Sequence, residues 1–367
     1  MVATRERKTT GITLDRRALS DAIADVIRAV PARGPKPILA NVRLGDGLLT
    51  GTDLEVRIDR EIDYHGDCML LPAHRLQAIL RAATGDTVTL TPKGGSVAVK
   101  CGGGSWTLPT EDAAEYPAWT PEGLKAICRI PADQFARAAR ATAYATDTES
   151  SRFALGGVLI DVTDGNPTWV ATDGRRLSCV ETETDQAVDD SQTIVPARVI
   201  AMASAMATGD GSVQVESNGK EVVMTLDSVT ITGRLVEGRF PRWRDVVGEP
   251  EGEATVLNVA ELLSAVESAA IVTSEQSKGV DLAFTGDTLT LSARSSEYGE
   301  SRVQCSIVQA GTTSGTKLDP KFVADFLKHL PADEEPQVDV YATDSQSRVL
   351  LKCGPYVGVI MPLAAEG

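Results

Sequence analysis

Positions 124 residues apart in this chain carry matching signals: Pro72 and Pro196 each open an apolar pattern with helical spacing, and Asp86 and Asp210 each close one after a Thr-Gly pair. The register continues at 123 residues, from Pro196 to Asp319 and from Asp210 to Asp333. A period of this length is far too long for a solenoid unit, and each copy is long enough to bury a core of its own. The chain therefore reads as three similar domains at 11–121, 125–247 and 253–364. Linkers rich in Pro, Gly and acid fall near 119–123 and 247–252.

Within each copy the order is helix, hairpin and strand, helix, hairpin. In the first, Leu19, Ile23, Val26 and Ile27 share one helix face behind Asp15 as cap. Asp46-Gly47 turns a hairpin, and Pro72 opens a second helix that runs to Ala83. Helices at 131–145 and from Pro196, with turns at Asp164-Gly165 and Asn218-Gly219, repeat the plan. So do helices at 258–272 and 319–330, with a turn at Gly286-Asp287. The expected fold class is α+β: three similar domains, each with two helices packed on antiparallel sheets.

Composition narrows the function. Hydrophobic residues make up 42%, no apolar run approaches the ~18 residues that would cross a bilayer, and the polar residues 1–10 read as a frayed tail without a secretory core. The cytoplasm is the expected compartment. Six cysteines lie far apart with no C-x-x-C pair, and the three histidines share no helix face. Reduced, mostly buried thiols and no metal or cofactor are expected. A net charge of −15 excludes a protein that coats nucleic acid with its whole surface. The charge is unevenly spread, however. The six helical segments hold ten Lys/Arg against eight Asp/Glu, whereas the rest holds 26 against 43. Arg75, Arg81, Arg137, Arg140 and Arg198 supply most of the helical excess. A mildly basic helical face on an acidic protein would hold DNA through phosphates, without sequence readout and with strong salt dependence.

One stretch stands out chemically: Val170-Ala171-Thr172-Asp173-Gly174-Arg175-Arg176-Leu177-Ser178, in the middle copy. Thr-Asp-Gly is an ordinary turn. With two arginines after it, an enzyme handling a phosphate-bearing substrate through Asp173, Arg175 and Arg176 is an alternative, but no base, nucleophile or phosphate-cradling glycine loop accompanies them.

Taken together with Pro37-Ile38-Leu39-Ala40-Asn41, the run from Arg152 to Val158, Glu237-Gly238-Arg239-Phe240-Pro241-Arg242-Trp243 and Val359-Ile360-Met361-Pro362-Leu363, this stretch resembles the bacterial β sliding clamps, the processivity subunits of DNA polymerase III. The resemblance spans about 11–364. It implies a head-to-tail homodimer closed into a ring, with helices lining the hole and sheets outside. It also implies an accessory subunit without catalytic activity, whose partners are double-stranded DNA, the polymerase alpha subunit and other polymerases, a clamp loader and a second copy of itself.

Carried over residue by residue, the resemblance puts a partner-peptide pocket at Leu155, Thr172, Gly174, Arg175, Arg176, Leu177, Pro241, Val246, Val359, Ile360, Met361, Pro362 and Leu363. The DNA-facing residues become Arg33, Arg81, Arg137 and Arg198. The dimer interface sets Arg75 against Ile271, Val272, Glu297 and Glu300. The chain departs from the family pattern at Arg175, where a histidine is usual, at Asp245, where a basic residue is usual, and at Leu363-Ala364, where a Met-Arg pair is usual. These departures bear on partner preference, and a specialised second clamp with altered partner or inhibitor specificity is the alternative within the family.

Overall fold

The structure, a computed structural model, describes residues 11–33, 36–147, 153–184, 186, 188–274, 279–331 and 336–363. The expected frayed tail at 1–10 lies outside these residues, as do Arg152, Asp333 and the stretch 364–367. Seven α-helices occur among them: α1 (Arg16–Val26), α2 (Ala73–Ala82), α3 (Ala132–Ala143), α4 (Ala197–Met206), α5 (Trp243–Val247), α6 (Val259–Ala270) and α7 (Pro320–Lys328).

Three of the repeat landmarks hold the same place in their helices. Pro72, Pro196 and Asp319 are the N-caps of α2, α4 and α7. Side-chain caps occur where the sequence offers a short acceptor: the Asp15 carboxylate accepts from the Ala18 amide at 2.7 Å, and Asn258 accepts from the Ala260 and Glu261 amides. Leu19, Ile23 and Val26 are buried on one face of α1 as expected, whereas Ile27 has passed into a short 3-10 turn. The Asp46-Gly47 and Asp164-Gly165 pairs adopt positive φ throughout (57° and 75°, 52° and 78°), the geometry of a tight hairpin turn.

Two features were not legible in the pattern. Each helix other than α5 follows a strand, directly or across one capping residue, so Leu71-Pro72 ends the strand Met69–Pro72 instead of opening α2. The sheets also pass from one repeat to the next. The chain forms two compact units, Met1–Ala126 with Gly211–Arg234, and Ile127–Asp210 with Leu235–Gly367. The middle repeat is thus shared between them.

In the first unit, one sheet runs in the order Met69–Pro72, Asn41–Gly45, Leu48–Thr52, Val56–Glu61, Val229–Arg234, Glu221–Leu226, Ser212–Ser217. Ile58 opposite Ile231 marks the junction of the first and middle repeats. A separate four-stranded sheet runs Ile12–Asp15, Thr87–Lys93, Ser96–Cys101, Gly104–Pro109. Helices α1 and α2 pack against each other, and α1 also lies on the larger sheet. Its approach requires Gly51, where a Cβ would meet the Val26 carbonyl oxygen at 2.6 Å.

In the second unit a single twelve-stranded sheet runs Ser191–Pro196, Gly157–Thr163, Asn166–Thr172, Arg176–Glu181, Tyr356–Ile360, Val349–Cys353, Gln337–Tyr341, Thr255–Asn258, Gly299–Gln309, Thr288–Ser295, Val280–Thr285, Thr316–Leu318. Leu177 opposite Val359 joins the middle repeat to the third. The pairs α3 with α4 and α6 with α7 pack together. Under α3, Phe135 meets the fully buried Trp169 edge-on, with ring centroids 5.2 Å apart. All six cysteines are free thiols; Cys101, Cys128 and Cys179 are buried, and Cys68 is exposed. Burial pushes the Cys128 and Cys179 thiols up to about 12, so both stay protonated and inert at neutral pH.

Candidate functional site

The turn after the strand Asn166–Thr172 is built by its own side chains. Asp173 Oδ1 accepts from the Arg175 and Arg176 amides at 2.9 and 3.0 Å, and the Thr172 hydroxyl donates to the Arg176 carbonyl oxygen at 2.6 Å. Gly174 adopts φ 88° with open space around it, a conformation strained for other residues. The turn reverses the chain so that Arg175 points out to solvent while Arg176 and Leu177 are buried.

The following strand then places Leu177 beside Val359 in one apolar cluster with Leu159, Val170, Phe240, Trp243 and Leu350. Ala154, next to the buried Leu155, packs against the same cluster. Other apolar side chains of the same segments are exposed. Val246 is 39% exposed and Met361 44%, among the few large apolar side chains that face solvent. Pro241 is exposed as well. The Met361 amide donates to the Arg175 carbonyl oxygen at 2.8 Å, so the C-terminal segment is strapped to the turn one residue beyond the strand.

Of the pocket candidates, Leu177 and Val359 lie in this cluster, Thr172 and Ile360 are buried in strands that carry it, and Leu155 is buried beside Ala154; Gly174 and Arg175 lie in the turn, Pro241, Val246 and Met361 are exposed, and Pro362 is half-buried. Leu363 goes elsewhere. Its amide donates to the Lys317 carbonyl oxygen at 2.9 Å, and its side chain borders a separate hollow with Asp281, Leu282, Thr316, Ser345 and Gln346.

Arg176 is held differently from Arg175. Its side chain is only 8% exposed and its guanidinium donates three ways: Nε to Asp173 Oδ2 at 3.0 Å, and the two terminal nitrogens to Asp325 Oδ2 at 2.6 Å and to the Tyr144 carbonyl oxygen at 2.7 Å. It also lies over the rings of Phe322, at 4.6 Å, and Tyr144, at 5.2 Å. Asp325 sits on α7. Burial pushes its carboxyl up, but Lys321 at 2.5 Å and Arg176 outweigh that and hold it below its ordinary value. It is a carboxylate at neutral pH. With Asp173 and Arg176 committed to each other and to the fold, only Arg175 of the three residues in the phosphate-handling alternative is left facing solvent.

Helix α5 rests on Asp161, which is outside the pocket residues named from the sequence. Asp161 is 2% exposed in the otherwise apolar strand Gly157–Thr163. It accepts from the Trp243 indole nitrogen at 2.7 Å, from Gln192 at 3.2 Å and from the Arg244 guanidinium. Those bonds fasten α5, and with it Val246, to the sheet. A lone carboxylate inside an apolar run was the signal available in the sequence.

The other candidates occupy other surfaces. In the first unit Arg33 is exposed after the turn that follows α1, and Arg75 and Arg81 are exposed on α2. In the second, Arg198 is exposed in the first turn of α4, and Arg137 on α3 pairs with Asp133 one turn earlier at 2.8 Å. Ile271, just past α6, is 78% exposed, Val272 is half-buried, and Glu297 and Glu300 are exposed. Tyr298 between those glutamates is 56% exposed and escaped the sequence reading. Several sheet edges are open among the described residues, two of them bearing on the interface candidates. Gly104–Pro109 ends the four-stranded sheet. In Gly299–Gln309, residues 299–306 pair with Thr288–Ser295, while on the other side Thr255–Asn258 meets only Ile307 and Gln309 among the described residues.

Comparison with known proteins agrees across nearly the whole chain. The N-terminal, central and C-terminal domain models of the DNA polymerase III beta subunit match residues 10–120, 129–242 and 246–359. The beta sliding clamp of Chlamydia pneumoniae is 25% identical over 363 residues, covering 95% of this chain and 98% of its own. That of Caulobacter vibrioides (strain NA1000 / CB15N) is 27% identical over 357 residues, covering 93% and 95%. A crystal structure of the sliding clamp of Pseudomonas aeruginosa bound to griselimycin superposes with a TM-score of 0.87 at 25% identity, covering 97% of this chain and 99% of that one. The three-domain fold, the strapped apolar site and these matches place the chain in the DNA polymerase III beta subunit family, the non-catalytic sliding clamps of DNA replication.

Proposed function

We propose that this sliding clamp closes around duplex DNA as a head-to-tail homodimer and tethers the polymerase alpha subunit and other replication proteins through the apolar site beside Gly174. What supports the peptide reading is that exposed Val246 and Met361 are each attached to elements that supply one buried apolar cluster, Val246 through Trp243 and Val247 of α5 and Met361 through the strand that carries Val359. An apolar slot there takes the hydrophobic side chains of a short linear peptide, while Arg175 and the strapped backbone orient it. Tethering then acts by effective concentration, since a polymerase that releases the primer end stays beside it. Leu363, bordering its own hollow, extends this surface rather than the slot. A clamp loader opens the ring, and the protein works in the cytoplasm; among the described residues no helix is long and apolar enough to cross a membrane.

Removing residues 361–367 is expected to abolish binding of a hydrophobic polymerase-tail peptide and to leave the dimer intact. Fluorescence anisotropy with the labelled peptide checks the first point and light scattering the second; unchanged affinity refutes the pocket assignment.

For the DNA-facing surface, the support is the basic excess on the helices of the first two repeats. Reversing charge at Arg81 and Arg137 is expected to shorten retention on DNA several-fold at low salt, an effect that fades as salt rises, with peptide affinity unchanged. Retention of the loaded protein on nicked circular DNA across a salt series reads this out. Arg137 contributes less than Arg81 because Asp133 already offsets part of its charge.

A further inference from the structure

We propose that Arg176 is a positioning residue for the peptide pocket, a buried strut whose pull from Asp325 on α7 holds the Thr172–Leu177 turn in its binding shape. This deepens the pocket reading above and rests on it, because it names the buried contacts through which Arg176 controls the slot's geometry.

The argument starts from what the guanidinium touches. Its three donating bonds end on the turn itself (Asp173), on the residue that follows α3 (Tyr144) and on α7 (Asp325). It also lies over two rings, those of Phe322 of α7 and of Tyr144. The strut therefore spans from the middle repeat to the third, near the single strand pair, Arg176–Glu181 with Tyr356–Ile360, that joins them. A planar, five-donor group is suited to this and a lysine is not, since one ammonium cannot serve three acceptors in a fixed plane while stacked on two rings.

On the far side, α7 is tied in independently. Asp325 takes a second cation from Lys321, and its carbonyl oxygen lies 2.6 Å from Nδ1 of His329, whose ring stacks on Tyr144 with centroids 4.6 Å apart. Gly358 lets Phe326 of α7 lie directly on the strand that precedes Met361, where a Cβ would meet the ring at 2.6 Å. Helix α7 is thus seated against the strand leading to the strap, and Arg176 connects the turn to that seat. The strap itself hangs on the Arg175 carbonyl oxygen, the residue immediately before the strut. Displacing Arg176 moves the atom on which Met361 depends.

The test separates holding from touching. Asp325 lies on α7, faces Arg176 and Lys321, and belongs to none of the pocket surfaces described above, so Asp325→Asn changes the strut's anchor without altering a peptide contact. Affinity of a labelled hydrophobic polymerase-tail peptide is measured for the full-length wild type, Asp325→Asn, Arg176→Ala, the double variant and Val246→Glu. Asp325→Asn is expected to weaken binding about tenfold, and the double variant to be no weaker than Arg176→Ala alone, as two parts of one device require. Hydrogen exchange without peptide adds a second reading: the Met361 amide is expected to exchange faster in Asp325→Asn. Wild-type affinity and wild-type exchange in Asp325→Asn, or strictly additive losses in the double variant, overturn the strut. Unchanged affinity in Val246→Glu overturns the pocket reading itself, so the two failures are told apart.

Discussion

Asp161→Ala is expected to lower the stability of the unit that contains it by about 3 kcal/mol, the cost of removing one member of a buried, hydrogen-bonded charge network. The mechanism is specific. Without the carboxylate, the Trp243 indole nitrogen loses its partner inside an 8% exposed residue, and Gln192 loses an acceptor. Arg244 suffers less, because it is half exposed and also donates to Thr163 at 3.0 Å, so it rehydrates. A melting transition lowered by roughly 8 °C is the expected reading, with Asp161→Asn losing about half as much, since the amide still accepts from Trp243. The loss of α5 anchorage reaches function through Val246, so peptide binding weakens before the fold is lost. A variant that melts like the wild type would show that the carboxylate carries no such weight.

The second large effect is on the ring. Ile271→Asp combined with Tyr298→Asp is expected to turn a dimer near twice 38.8 kDa into a monomer and to abolish retention on circular DNA. Both side chains are large, apolar and more than half exposed, and Glu297 and Glu300 flank the second. They lie near the open edge at 299–306, and the first unit carries an open edge of its own at Gly104–Pro109. One such edge on each unit is what a head-to-tail partner would cover by continuing the strands, and uncovered edges invite unwanted pairing. Arg75 facing the glutamate pair would add charge complementarity to that contact. Retention is lost altogether rather than weakened because it is topological: a ring that does not close holds nothing, whatever its affinity for phosphate. Light scattering gives the mass, and release from nicked circles gives retention. A dimer that survives both substitutions would remove this surface from the interface. Peptide affinity serves as the control, since the pocket residues lie in other strands and loops of the chain.

Much of this was readable in advance, for identifiable reasons. Helix starts are local chemistry. A short acceptor such as Asp15 or Asn258, or a proline at position 72 or 196, satisfies or excuses the first amides whatever lies around it. Hairpins at Asp46-Gly47 and Asp164-Gly165 are local too, because only a few residue pairs tolerate two successive positive φ values. Leu177, Val359 and Met361 lie in the motifs that carried the resemblance, whereas Val246 lies just past one of them. The lead-in strands were harder. A four-residue segment such as Met69–Pro72 has no period of its own and is a strand because Asn41–Gly45 lies beside it.

What the sequence by itself determined is the threefold plan, the helix caps and turns, the segregation of basic charge onto helices and the family, since each follows from residues near one another or from a motif read in order. Tertiary structure alone decided which charges are working parts of the fold. Arg175 and Arg176 are adjacent and chemically identical, yet one faces solvent and the other is buried between Asp173, Asp325 and two aromatic rings. Arg175 is the last residue of the turn and Arg176 the first of the strand, and only the helix packed against that strand's start, 149 residues further along the chain at Asp325, makes the surroundings of Arg176 an interior.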